Sequence, residues 1–230
     1  MTKTLLEEWL PGRFTLLLFL LPASMLLAPL LGNSIVGRLA FNAIVTLLLL
    51  VAVQAAALKA KARVVAWTLL LVSLLFRWSG HALHHVGLQG ASDFLAALFL
   101  SLITIELFLY VVRAHRVDID LISAGLCVYL LLAVTFALLY STLDRVAPDS
   151  FAMPADRVDA VTQASVGRVP DYVYYSFVTM TTTGFGDIRP VSQIARGLTV
   201  IEILLGQLYL VVMISRLVST WGSGSDSSTS

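Results

Sequence analysis

Charge is scarce in this chain. Of 230 residues 13% are charged and 58% hydrophobic, and the mean hydropathy is +0.89, which is too apolar for a soluble domain of this length. An excess of positive charge is also missing. The formal net charge is +1, so no basic face is available to neutralise phosphates, and nucleic acid is excluded as a partner. Cysteine is nearly absent. The single Cys127 lies in an apolar run, so no intrachain disulfide forms and the redox compartment is unreadable. Zinc-ligand spacings, nucleotide-binding loops and nucleophile elbows are absent as well, which leaves an enzyme, or a bound cofactor, without support. Glycosylation sequons are lacking and the loops are lean, as suits a bacterial inner (plasma) membrane.

What the chain has is apolar length. Six segments approach or reach the roughly 20 helical residues needed to cross a hydrocarbon core; they fall near 14–31, 39–58, 64–79, 93–112, 120–141 and 196–218. The third is the shortest and holds Arg77 near its end, and the first is interrupted by Pro22 and Pro29, which bend or end a helix. Glu7 and Glu8 ahead of it, and no small-residue cleavage site behind it, argue for a retained helix over a signal peptide. Lys59, Lys61, Arg63, Arg113 and Arg116 fall in connections of one parity, with Lys3 and Arg13 before the first segment and Arg216 closing the last. The opposite connections are poor in Lys and Arg, so both termini are expected on the cytoplasmic side. From Gly222 the chain is Gly/Ser-rich and reads as a disordered tail, too short for a cytoplasmic ligand-binding domain. The expected organisation is 1–116 as a four-helix membrane domain, 117–219 as a pore domain and 220–230 as the tail.

Between the last two segments stands Val169-Pro170-Asp171, followed by ten residues without a breaker up to Thr181. Pro and Asp suit a helix start, and the result is a helix of about ten residues, too short to span. Then comes Thr181-Thr182-Thr183-Gly184-Phe185-Gly186-Asp187. Gly184 and Gly186 permit the unusual backbone angles that aim successive carbonyls one way. Irregular backbone at membrane depth is tolerable only where protein or water covers it. Four such loops around an axis meet that demand.

The stretch Thr182-Thr183-Gly184-Phe185-Gly186 resembles the TVGYG filter of the tetrameric P-loop potassium channels, with Thr for Val and Phe for Tyr. The resemblance covers about residues 120–218. It implies an all-α membrane protein with six transmembrane helices, a re-entrant pore helix and a selectivity-filter loop, assembled in the bilayer as a homotetramer around a central pore. It implies K+ bound by Thr182, Thr183, Gly184 and Phe185, with K+ as permeant ion and no cofactor. It places Phe185 outward against the pore-helix aromatics, where Tyr174 and Tyr175 stand for the family's usual Trp pair. In some members a pore-helix carboxyl holds the aspartate found here as Asp187; Val178 occupies that position, so the same bond cannot form. Glu202, in the last segment, either braces the pore helix from behind or is an acid bonded to a neighbouring hydroxyl, since exposure to lipid is costly. Gly206 stands twenty positions after Gly186, the spacing of the family's gating hinge; close helix packing is the other reading.

The first four segments lack what a voltage sensor needs. The fourth carries only Asp93 and Glu106 near or within its span, with Arg113 and Arg116 at its end, too few positive charges for steep gating. The connection 113–118 is short, so these segments are expected to pack on their own subunit's pore. His81, His84 and His85 lie between the third and fourth segments. His81 and His85 share a helical face, as a metal or proton sensor or as an interfacial cluster without a ligand.

Overall fold

The computed structural model describes residues 60–83, 86–114, 119–154 and 169–225, together with positions 14, 17–23, 43, 46–47 and 49–54. The first two expected segments, 14–31 and 39–58, therefore lie largely outside the described residues. Within them run α1 (Ala60–Leu83), α2 (Val86–Arg113), α3 (Ile119–Val146), β1 (Phe151–Ala152), α4 (Val169–Met180), β2 (Arg189–Pro190) and α5 (Gln193–Ser225).

Three stretches among the described residues are long and apolar enough to cross a membrane: Gly87–Arg113, Ile119–Val146 and Gln193–Arg216. Each exceeds its expected segment. Helix α2 starts at Val86 rather than near 93, although Gly87, Gly90 and Ser92 resemble loop residues. The Ser92 hydroxyl donates to the Gln89 carbonyl at 2.8 Å, and a Cβ on Gly90 would lie 3.6 Å from Arg145 Cδ. Packing on α3 thus outweighs the weak helix propensity of this turn. Helix α5 continues to Ser225, past the boundary at 219 expected for a loose tail. Its start is capped by Ser192, whose Oγ accepts from the Ala195 N–H at 3.1 Å.

Helices α1, α2 and α3 pack in series around buried Leu70, Ala97, Leu100, Ile103 and Leu131. A second core joins α3 to α4 and the β-pair through Phe136, Tyr140, Phe151, Tyr172 and Tyr175. In it Phe151 meets Tyr140, Tyr172 and Tyr175 edge-on at 5.3–5.5 Å between ring centroids, a favourable aromatic geometry. Strands β1 and β2 are antiparallel, with Phe151 opposite Pro190 and Ala152 opposite Arg189. Two further bonds, from the Val191 and Ser192 N–H groups to the Ser150 carbonyl at 2.8 and 3.2 Å, tie the chain after the loop at 181–187 to the corner after α3.

Candidate functional site

Helix α4 begins as the sequence expects, with Pro170 and Asp171 in its first turn and a stop before the glycines. Three hydroxyl contacts hold it in place. Tyr172 donates to Asp144 Oδ2 at 2.5 Å, and Tyr175 bonds the Thr199 hydroxyl at 2.9 Å. Ser176 sits between the Ala133 carbonyl, at 2.7 Å, and Glu202 Oε1. Glu202 is fully buried, and its Oε2 accepts from Tyr140 at 2.6 Å. One carboxyl group on α5 therefore joins α3 and α4, so the brace and the hydroxyl-bonded acid are the same arrangement.

The last turn of α4 folds directly into the loop. The Val178 carbonyl accepts from the N–H groups of both Thr183 (2.9 Å) and Gly184 (3.3 Å), and Thr182 N–H donates to the Thr179 carbonyl at 2.9 Å. The carbonyl of Met180, at the C-terminus of α4, accepts from Tyr129 Oη at 3.3 Å and Gln207 Nε2 at 3.1 Å. Val178 thus contributes through its backbone, not its side chain. Tyr129, Tyr140, Ser176 and Gln207 are supports that sequence reasoning missed; the signal available for them was only a polar residue inside an apolar segment.

Backbone angles alternate through the loop. Thr182, Gly184 and Gly186 have φ of 59°, 59° and 78°, whereas Thr183 and Phe185 are not in the left-handed region. A chain that alternates in this way turns successive N–H groups to one side and the intervening carbonyls to the other. Gly184 and Gly186 have open space around a notional Cβ, so it is backbone conformation that asks for glycine there. Thr182 has no such freedom. A β-branched residue at positive φ is a genuine outlier that costs about 1–3 kcal/mol, and the bonds to the end of α4 hold it.

The side chains flanking the loop divide into two groups. Thr181 and Thr183 share a hydroxyl contact of 3.0 Å, so the extra hydroxyl of Thr183 has a partner. Phe185 lies flat against Tyr174, with centroids 6.5 Å apart and planes 3° apart. The Tyr174 phenol is held above its ordinary range by loss of solvent and by hydrogen bonding to the Asp187 carboxylate. Every residue from Thr181 to Asp187 is exposed in the single chain.

Gly206 faces the back of this assembly. A Cβ there would come within 2.5 Å of Met180 Cγ, so close packing explains this glycine directly. His81 lies in the last turn of α1, whereas His84 and His85 are outside the described residues, and with His85 the face expected to be shared with His81. Among the described residues no group of three or more His, Cys, Asp or Glu side chains could hold a metal ion. Helix α2 carries Asp93, Glu106 and a terminal Arg113 as its charges, with no array of positive residues.

Comparison with known proteins adds independent support. A family model described as "Ion channel" (Ion_trans_2) matches residues 126–221, a stretch that runs from α3 through the loop into α5 and is less than half of the chain. Protein LctB of Bacillus caldotenax is 25% identical over 126 residues, covering 55% of this chain and 91% of its own. No solved structure matches. The matched stretch and the three apolar helices together support an ion-channel family and an integral membrane protein.

Proposed function

We propose that the chain is the subunit of a homotetrameric, potassium-selective channel with six membrane-crossing helices, in which α4 is the re-entrant pore helix. The observation that carries this is the alternation of φ at Thr182, Gly184 and Gly186 in a fully exposed loop anchored to the end of a twelve-residue helix. Carbonyls from Thr182 to Phe185 on one side of the chain are the groups that replace an ion's water shell. Four copies around an axis cover the loop, which one copy leaves bare. The C-terminal end of α4 adds the negative pole of its dipole. Ions lose water on entry, queue on successive carbonyl sites and move by mutual repulsion.

The exposed apolar face of α5, including Val200, Leu204, Leu208 and Val211, is the surface such an assembly buries. Both termini lie on the cytoplasmic side in this arrangement, and the connection from 147 to 168 lies outside. Without a positive array on α2, conduction is weakly or not at all voltage-dependent.

One observation favours looser selectivity. Phe185 offers a stacked ring but no phenolic hydroxyl, and Thr183 replaces an apolar side chain behind the filter. The test is flux through the purified protein in liposomes. Potassium flux blocked by barium, with sodium excluded, is expected; equal flux of the two cations assigns a weakly selective channel. Absence of flux, also after replacement of Gly206, assigns a non-conducting regulatory subunit and refutes the proposal.

A further inference from the structure

At the end of the bundle near the loop at 181–187, the ends of α2 and α3 flank an open cavity of about 340 Å³. Its walls are apolar or small at Gly87, Gly90, Phe94 and Val146, and Thr142 and Arg145 bring polarity to it. Arg145 is the penultimate residue of α3, so the cavity lies where the apolar span gives way to the headgroup layer.

The polar end of this cavity is electrostatically unusual. Asp93 Oδ1 faces Arg77 at 3.8 Å, and Asp93 Oδ2 faces Arg145 Nε at 3.4 Å. The same carboxylate accepts from Ser141 at 2.8 Å, so Arg145 does not have Asp93 to itself. Arg145 Nε also contacts Ser141 Oγ at 3.4 Å and its Nη1 donates to Gln89 Oε1 at 3.1 Å. Both further partners are neutral. Nη2 makes no hydrogen bond to a described residue, although the side chain is only 15% exposed. A largely buried guanidinium with a free edge and a shared counter-charge attracts an anion.

We infer that this cavity is a binding site for an anionic phospholipid, with the phosphate on Arg145 and the glycerol and first methylenes against Phe94 and Val146. Basic pockets between membrane helices suit such headgroups. The cavity is open on one side, so a phosphodiester and the root of a chain can lie in it. The remainder of the lipid stays in the bilayer beside α2. A side chain at Gly90 would start from a Cβ in ordinary contact with Arg145 Cδ and Cβ, at 3.6 and 3.7 Å, and its further atoms would occupy the cavity that Gly90 lines.

The experiment titrates the purified full chain in detergent with phosphatidylglycerol, phosphatidylcholine and inorganic phosphate, and reads bound lipid by native mass spectrometry and the rise in unfolding temperature. Phosphatidylglycerol is expected to bind. Arg145→Gln should weaken it about ten- to a hundredfold, the loss of a charge-assisted hydrogen bond. Gly90→Leu should weaken it comparably while leaving the guanidinium in place. Should either variant fail to fold, Arg145→Met and Gly90→Val carry the same comparison. Equal binding of phosphatidylcholine, or undiminished phosphatidylglycerol binding in the variants, overturns the site. Inorganic phosphate binding as tightly as the lipid overturns the lipid assignment. A fall in stability of Arg145→Gln that is the same with and without lipid shows a helix staple only and also overturns it.

Discussion

Truncating Glu202 tests the frame behind the loop most directly. Its carboxyl group accepts from Tyr140 at 2.6 Å and contacts Ser176, so Glu202→Ala removes two side-chain bonds at a fully buried position. Hydrogen bonds between membrane helices average about 0.6 kcal/mol and reach about 1.7, which puts the polar loss at about 1–3 kcal/mol. The cavity left behind raises the total to about 3–5 kcal/mol, as for other large-to-small core changes. Glu202→Gln keeps the volume, an acceptor for Tyr140 and a hydrogen-bonding group toward Ser176, and should cost less than about 1 kcal/mol. The assay is unfolding in detergent, followed by flux selectivity in liposomes. A cycle of Glu202→Ala with Ser176→Ala should show coupling, because the two side chains share a bond. Additivity within about 0.5 kcal/mol, or an Ala variant as stable as the parent, would refute the bracing role.

Three further outcomes are expected. Gly206→Ala brings a Cβ to 2.5 Å from Met180 Cγ and should destabilise by about 1–3 kcal/mol through overpacking, and Met180→Ala should cost less in the Gly206→Ala background than in the parent; equal costs in the two backgrounds would mean that the glycine serves bending rather than packing. Tyr174→Phe removes the bond to Asp187. The folded phenol is raised, so its contribution is fully present below the ordinary phenol range near pH 10 and is lost only as the pH rises through the folded value. The stability gap between parent and variant should then stay flat across neutral pH, and a gap that opens or closes there would contradict the assignment. Conductance should depend weakly on voltage, since α2 carries a terminal Arg113 and no positive array; an e-fold rise within about 10 mV would contradict it.

Sequence alone carried the apolar helices and the loop, because long hydrophobic runs and paired glycines are local signals. Helix ends were less legible. The turn at 86–92 looked like a loop and folds as helix, because Gly90 packs on Arg145 and Ser92 satisfies itself. The site's supports were the least legible part. Glu202 stood out as an acid in an apolar span, but its partners Tyr140 and Ser176 lie 62 and 26 positions away. The influence of Asp187 on Tyr174 was equally hidden, since nothing in the spacing of α4 marks it. Gly206, expected as a hinge or as a packing contact, lies close to Met180, a neighbour that spacing along the sequence does not reveal.

The short β-pair has a consequence for motion. Its strands and the Ser150 bonds fasten the chain leaving the loop to the corner after α3, while Tyr172 fastens the start of α4 to Asp144 on α3 itself. Entry and exit of the loop are thus moored to one helix. If α3 tilts, the whole hairpin of α4 and loop travels as a single cartridge, and the spacing of its carbonyls is preserved. Helix α5 is tied on beyond Gln207 as well, by Tyr209 Oη donating to the Gly125 carbonyl at 2.6 Å and by Arg216 donating to the Ala114 carbonyl, so a tilt of α3 pulls on the far half of α5 while the loop keeps its gauge.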